Sequence, residues 1–198
     1  MHDKRFDPAR AARLDDEKRS RELPLAALFE RLGDLKGQRW AELGAGTGFA
    51  TLPLATAVGP AGRVWAVDVE PRMVKLLRAR LRREQRFNVE TVCAPAEQLP
   101  LSDASLDGVL GVICWHELDD RGAALAECRR LLRGSGRLVL VDWLHRDDTG
   151  ADLPGSGPSN AHRLRLAAVA DELTGAGFNV ELRRDCFFAH YVAIGHKV

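Results

Sequence analysis

A strand that breaks into alternating glycines and resumes as a helix admits few folds, and residues 39–58 carry that pattern. Arg39 to Ala41 reads as a short strand, Glu42-Leu43-Gly44-Ala45-Gly46-Thr47-Gly48-Phe49-Ala50 as a bend, and Ala50 to Val58 as a helix with Leu52, Leu54 and Ala55 turned inward. Glycines at alternate positions let the backbone turn sharply and allow a ligand to come close. The helix that starts there aims its unpaired N–H groups at the same place. This is a nucleotide-type cradle. Its spacing, G-x-G-x-G, is one residue tighter than the dinucleotide G-x-G-x-x-G fingerprint. Glu42 stands two positions before the first glycine, where a carboxylate repels a pyrophosphate and suits a cationic ligand.

A second signal follows about twenty residues on, where the ribose-binding acid of this architecture falls. Val64-Trp65-Ala66-Val67-Asp68-Val69 reads as a buried strand ending in an acid. With both signals in hand, Glu42 to Gly48 resembles the first motif of the class I S-adenosylmethionine-dependent methyltransferases, whose cofactor carries a sulfonium, an ammonium and no phosphate. The resemblance implies an α/β fold with a Rossmann-like doubly wound seven-stranded sheet, mostly parallel with an antiparallel C-terminal hairpin strand. It implies S-adenosylmethionine as cofactor and S-adenosylhomocysteine as product. Glu42, Gly44, Ala45, Gly46 and Gly48 would line the cradle, Asp68 would hold the ribose hydroxyls, and Val69 and Met73 would flank them.

Further along, Glu70-Pro71 opens a helix in which Met73, Leu76, Leu77 and Leu81 repeat at helical spacing. Arg78, Arg80, Arg82, Arg83 and Arg86 read as a solvated, dipole-complementing face in preference to an RNA-binding patch. Val89 to Cys93 reads as the third strand. The segment after it, Ala94-Pro95-Ala96-Glu97-Gln98-Leu99-Pro100-Leu101, resembles the family's Gly-Asp-Ala-Glu-x-Leu-Pro-Phe run, whose acid and following amides hold the adenine edge. Pro95 replaces that acid here, so only Ala96, through its backbone, and Glu97 carry over. Gly108 to Ile113 reads as a central parallel strand. Ligands of open parallel sheets bind beyond the strand carboxyl ends where strand order reverses, so Gly111 and Val112 are expected to face the cofactor. Cys114-Trp115-His116-Glu117-Leu118-Asp119-Asp120 resembles the family's His-rich segment, with His116 edging the methyl-acceptor chamber. Ala123 to Leu132 reads as a helix, Arg133 to Gly136 as a turn and Arg137 to Trp143 as a fifth strand. The run from Leu106 to Trp143 is similar to methyltransferases of the quinone-biosynthesis type.

The chain reads as one domain: an N-terminal helical arm (1–37), a cofactor-binding core (38–145), and a lip loop, helix and hairpin (146–198). In the arm, Phe6, Leu14, Leu23, Leu25, Leu28, Phe29 and Leu32 form an apolar stripe. The arm reads either as a solvated flank of the sheet or as a lid over the cofactor. Thr149 to Pro158 reads as a lip over the cleft. It is followed by a helix from about Asn160 to Leu173 and by strands Phe178 to Arg184 and Phe188 to Lys197. Four scattered cysteines without a C-x-x-C pair read as buried thiols, neither disulfides nor a metal site.

With 29 basic and 28 acidic residues, the chain is not built for broad electrostatic capture of nucleic acid or an acidic membrane. It also lacks the Asn- or Asp-Pro-Pro-aromatic run of nucleic-acid amino-methylating relatives after the fourth strand. No apolar run reaches the roughly 20 residues that span a bilayer, and the polar start lacks a signal-peptide core. The expected partner is a small-molecule methyl acceptor, the expected location cytoplasmic, and the oligomeric state is left open. Transfer from a sulfonium needs in-line positioning above all. Where the acceptor bears a proton a base helps, and His116, Glu117, Asp142 and then His190 are the candidates. Two other readings stand beside this one: a nucleotide-dependent oxidoreductase on the same kind of sheet, and a non-catalytic protein that binds S-adenosylmethionine.

Overall fold

The computed structural model describes residues 16–149 and 157–198. Two short helices, α1 (Glu17–Glu22) and α2 (Leu25–Arg31), precede the alternating part of the chain. That part runs β1 (Arg39–Leu43), α3 (Thr51–Val58), β2 (Arg63–Asp68), α4 (Pro71–Arg83), β3 (Val89–Cys93), β4 (Leu106–Val112), α5 (Arg121–Leu131) and β5 (Leu132–Trp143). Helix α6 (Leu166–Gly175) then leads into the hairpin β6 (Phe178–Arg183) and β7 (His190–Lys197). All seven strands form one sheet in the order β3-β2-β1-β4-β5-β7-β6. Neighbours from β3 to β5 pair in parallel, while β7 runs antiparallel to both β5 and β6. Strand order reverses between β1 and β4, so a crevice opens above their carboxyl ends.

Apolar layers cover both faces of the sheet. On one, Leu28 and Phe29 of α2 and Leu54 and Val58 of α3 pack on Trp40, Leu110, Val139, Val141, Val192 and Ile194. On the other, Leu125, Cys128 and Leu131 of α5 with Val169 and Leu173 of α6 pack on Val109, Leu138, Leu140 and Tyr191. The alternation Tyr191, Val192, Ala193, Ile194 sends successive side chains to opposite layers, as a strand's period of two requires. Trp40 in β1 lies flat against β4 because its neighbour there is Gly108. A Cβ on Gly108 would sit 2.5 Å from the indole ring.

Several element boundaries differ from the sequence reading. In α4 the Glu70 side chain accepts from the Arg72 amide (3.1 Å) and Pro71 takes the first helical position. Its buried stripe is Met73, Val74, Leu77 and Leu81. Leu76, expected inward, is 48% exposed, because it lies about 100° around the axis from Leu77. The turn expected at Arg133 to Gly136 belongs to β5: Leu106 faces Leu132 and Gly108 faces Arg137, so five residues of β5 answer two of β4 in a wide bulge. The helix expected from Asn160 is only a single turn there (Asn160–His162), and α6 starts at Leu166. Its first amide is capped from afar, Leu166 N–H donating to Asp148 Oδ2 at 2.8 Å. Cys114 and Cys128 are buried as expected, but Cys186 is half-buried and Cys93 exposed. Residues 1–15 of the arm, including Phe6 and Leu14, and residues 150–156 of the lip lie outside the described residues.

Gly108→Ala should destabilise the protein by about 1–3 kcal/mol, the usual cost of overpacking a filled core. Urea or thermal melting checks this, and an unchanged midpoint would mean that the Trp40 contact yields freely.

Candidate functional site

At the end of β1 the chain turns through Gly44 (φ 64), Gly46 (φ 53) and Gly48 (φ 98), conformations that side chains of the L series rarely adopt. Two interactions fix this bend to β2. Ala45 N–H donates to Val67 O (2.9 Å), and Gly46 N–H donates to Asp68 Oδ2 (2.8 Å). The other oxygen of Asp68 accepts from Glu70 N–H at 2.9 Å. Bend and acid are thus joined, as the sequence spacing implied. Burial raises the Asp68 pKa, against the opposing pull of the Glu70 and Gly46 amides. One detail differs from expectation. A Cβ on Gly44 would lie 2.6 Å from Cys114 Cβ, and one on Gly48 would lie 2.6 Å from Leu77 Cδ1. The space beside these two glycines is taken by the protein's own side chains, so they serve packing as well as any ligand.

Beneath the bend lies Glu42, 2% exposed. Burial pushes its carboxyl up to about 8, with Asp68 adding to the rise and Thr51 and Arg19 opposing it. Thr51 stands close enough to favour the ionised form, yet neither Thr51 Oγ1 nor Glu42 Oε2 meets hydrogen-bond geometry with any partner. An acid buried without a partner is costly. A ligand that brings positive charge or a donor to this point would relieve that cost.

The remaining cofactor candidates are distributed unevenly around this pair. Ala45 packs with Leu52, Ala66, Leu77 and Leu81 under the bend. Val69 is exposed just past Asp68, while Met73 is buried along α4. Ala96 and Glu97 form a half-buried turn beyond β3. That segment is held by a contact absent from the sequence reading: Glu127 of α5 accepts from Leu99 N–H at 2.6 Å and pairs with Arg130 at 2.7 Å. The Arg130 partner, more than burial, decides the direction and holds the Glu127 carboxyl below its ordinary pKa. An acid among the inward positions Leu125, Cys128 and Leu131 was its legible sign. Gly111 and Val112 do not look the same way. Gly111 backs onto Leu140 and Cys114, whereas Val112 packs into the α2–α3 layer.

Past β4 the backbone is strained at Ile113, a β-branched residue at φ 54, whose N–H donates to Val141 O at 2.7 Å. This kink sends the Cys114 thiol under the bend, where it donates to Leu43 O at 3.2 Å. It also delivers the single turn Trp115–Glu117 to the end of β5. There Asp142, 2% exposed, accepts from His116 N–H (3.0 Å), Trp143 N–H (2.8 Å) and His116 Nδ1 (2.8 Å). Burial works against a charged His116, but the hydrogen bond and charge of Asp142, with Glu117 assisting, prevail and raise its pKa. Glu117 Oε1 stands 3.8 Å from His116 Nε2. The three catalytic candidates therefore meet. His190 stands apart from them chemically: burial depresses its pKa to about 4, and neither ring nitrogen has a hydrogen-bond partner. Its ring lies 4.2 Å from that of Trp143, centroid to centroid, and edge-on to Phe187. Trp115 Nε1 and the Tyr191 hydroxyl are likewise buried and unpaired.

A groove of about 860 Å³ between α5 and α6, lined by Asp119, Arg121, Arg129, Glu172 and Lys197 among others, includes none of the site residues expected from the sequence. Among the described residues no three of His, Cys, Asp and Glu converge as metal ligands. No described helix is long and apolar enough to cross a membrane.

Comparison with known proteins adds independent findings. A family described as a methyltransferase domain matches residues 41–140. A demethylmenaquinone methyltransferase of Lactococcus lactis is 32% identical over 120 residues, covering 61% of this chain and 48% of that protein. An uncharacterised 37.1 kDa transposon protein of Streptomyces fradiae is 35% identical over 139 residues, 69% of this chain and 39% of its own length. The chain thus spans less than half of these curated relatives. Among solved structures, a SAM-dependent methyltransferase from Aquifex aeolicus superposes with a TM-score of 0.90 at 24% identity, covering 98% of this chain and all of that one, which shows the fold.

Glu42 yields a test that needs no ligand. Below its ordinary pKa of 4.5 the carboxyl is neutral whether the chain is folded or not; between 4.5 and about 8 only the unfolded chain ionises it. Stability therefore falls as pH rises through that window. Glu42→Gln should match the parent near pH 4.5 and exceed it by a few kcal/mol at pH 8 in urea melts. Parallel pH curves would show that the acid is ionised in the fold.

Proposed function

The chain belongs to the methyltransferase-domain family of class I S-adenosylmethionine-dependent enzymes, and from that premise we propose that it transfers a methyl group to a small-molecule acceptor by in-line displacement. The observation that carries the reading is the buried Glu42, whose Oε2 has no hydrogen-bond partner, beneath a glycine bend that shares a hydrogen bond with Asp68. A dinucleotide offers two negative phosphates to such a site. A sulfonium donor offers positive charge and a ribose, and suits both acids.

When bound, the donor supplies an activated methyl on sulfur. The residues of the chain position and select. Asp68 is suited to the ribose hydroxyls, giving up its Gly46 amide or sharing it, with Val69 and Met73 on the same flank. Gly44, Ala45, Gly46 and Gly48 contribute the bend's amides, and Glu42 answers the cationic end. The turn at Ala96 and Glu97 is suited to the adenine. Gly111 would contribute through its backbone and Val112 by shaping the strand behind it. Holding the acceptor atom at about 3–3.5 Å from the methyl accounts for most of the rate.

At the acceptor side, Asp142 fixes His116 Nδ1, so Nε2 is the atom that can take a proton from an oxygen or nitrogen acceptor. Glu117, near Nε2, and Asp142 stabilise the imidazolium that results. The Trp143 ring, tilted 42° against the buried and unpaired His190 imidazole, adds an apolar surface next to Asp142. An apolar acceptor suits that surface, in keeping with the quinone-type relatives.

Differential thermal denaturation with S-adenosylmethionine and S-adenosylhomocysteine, against NADH and NADPH, tests the reading. Stabilisation is expected from the first two only; a response confined to the dinucleotides would overturn it. Asp68→Ala should weaken donor binding at least tenfold, and undiminished affinity would put the ribose elsewhere. Asp142→Asn should lower the His116 pKa, followed by NMR titration of its ring protons, because Asp142 is what raises it. An unmoved titration would dissociate the two residues.

A further inference from the structure

The near balance of basic and acidic residues over the whole chain hides an uneven distribution. Between Pro71 and Asn88 stand seven basic residues and one acid, so α4 and its C-terminal flank are strongly positive and the remainder of the chain is net acidic. Helix α4 rests on β2 and β3 at the edge of the sheet and turns Met73, Val74, Leu77 and Leu81 inward. On its other side Arg72, Lys75, Leu76, Ala79, Arg82 and Arg83 recur every three or four residues, and all are exposed. They form a strip about 17 Å long, at 1.5 Å per residue.

Little of this charge is neutralised within the fold. Glu84 pairs with Arg80 at 3.1 Å and stands 3.6 Å from Arg83, while Arg78 donates to Thr91 Oγ1 at 3.0 Å. Arg72, Lys75, Arg82 and Arg86 pair with no acid among the described residues. Arg86 shares the lining of a cavity of about 470 Å³ with Phe87, Asn88 and Arg63, the last paired with Glu90 at 3.2 Å. The Arg86 Nε is sealed from water and has no hydrogen-bond partner. Apolar side chains are exposed along the same element. Among the described residues six large ones are exposed, and three of them, Val69, Leu76 and Phe87, stand before, within and after α4. Phe87 is 82% exposed, so it contributes nothing to the core.

We propose that this face, from Val69 to Phe87, docks on an anionic lipid bilayer. Each basic side chain beside an acidic lipid surface strengthens binding about fivefold, and apolar side chains among them gain by entering the boundary between headgroups and acyl chains. Val69 and Leu76 decide between polyanions. An aliphatic side chain gains nothing from a phosphate backbone, and single-stranded nucleic acid is held on aromatic platforms, of which this face has one, Phe87. The unpaired Arg86 Nε offers a charged donor to a headgroup phosphate at the same end. Because the face begins at Val69, next to Asp68, a docked bilayer borders the crevice.

Flotation of the full chain with vesicles tests this, using phosphatidylcholine alone and an equimolar mixture with phosphatidylserine. Binding is expected to the mixed vesicles only, weakening as salt is raised. Reversing four charges together, Arg72→Glu, Lys75→Glu, Arg82→Glu and Arg83→Glu, should lower it at least about a hundredfold. Phe87→Ser should lower it about fivefold and leave its salt dependence unchanged. These changes touch exposed side chains outside the donor and acceptor sites, so melting and S-adenosylmethionine binding should match the parent's. A parent indifferent to phosphatidylserine, a charge-reversed chain that still floats, or a parent that binds polyuridylate and not the mixed vesicles would overturn the proposal.

Discussion

One carboxylate, that of Asp68, ties the site together. It accepts from the Gly46 amide beyond the neighbouring strand β1 and from the Glu70 amide on its own strand's continuation, so the end of β2, the glycine bend and the start of α4 are set by a single group. Hydrogen bonds to a charged acceptor are roughly twice as strong as neutral ones. The bend is further braced from beneath by Cys114 and from the flank by Leu77. A rigid bend keeps its amides in place before any ligand arrives, which reduces the ordering that binding would otherwise demand.

The His116–Asp142 pair is organised by a different device. A β-branched residue at positive φ, Ile113, costs of order 1–3 kcal/mol. That strain redirects the chain so that Cys114 faces the bend and His116 faces Asp142, two residues apart and toward different partners. Burying Asp142 with three N–H groups directed at it compensates locally. The Ile113–Cys114 peptide thus serves both the packing under the glycine bend and the delivery of His116 to Asp142.

Much of this could be read from residue order. Glycines at alternate positions and an acid about twenty residues later foretold that bend and acid would meet, because both obey backbone geometry local to a strand end. The mostly parallel order and the terminal hairpin were what the family resemblance implied, and the sheet has both. Features that depend on partners distant in sequence could not be read. The start of α6 is set by Asp148, 18 residues upstream, so helical periodicity alone put it too early. Glu127 holds the segment after β3 from another element altogether. Asp142 was legible as an acid at a strand end, but its role as acceptor for two separate backbone stretches needed the fold. Leu76 and Val74 exchanged places because a stripe of four leucine-like residues defines a helix more firmly than it defines the helix's rotation.

The flanks of the lip are stitched to one another. Asn160 accepts from Arg146 N–H at 2.9 Å and meets His145 Nε2 at 3.1 Å, while Asp148 caps α6 and pairs with Arg165 at 2.8 Å. With both ends anchored, the intervening stretch can lengthen at a conformational cost that grows only with the logarithm of its size. An insertion at this one place would thus leave the sheet and the glycine bend unaltered.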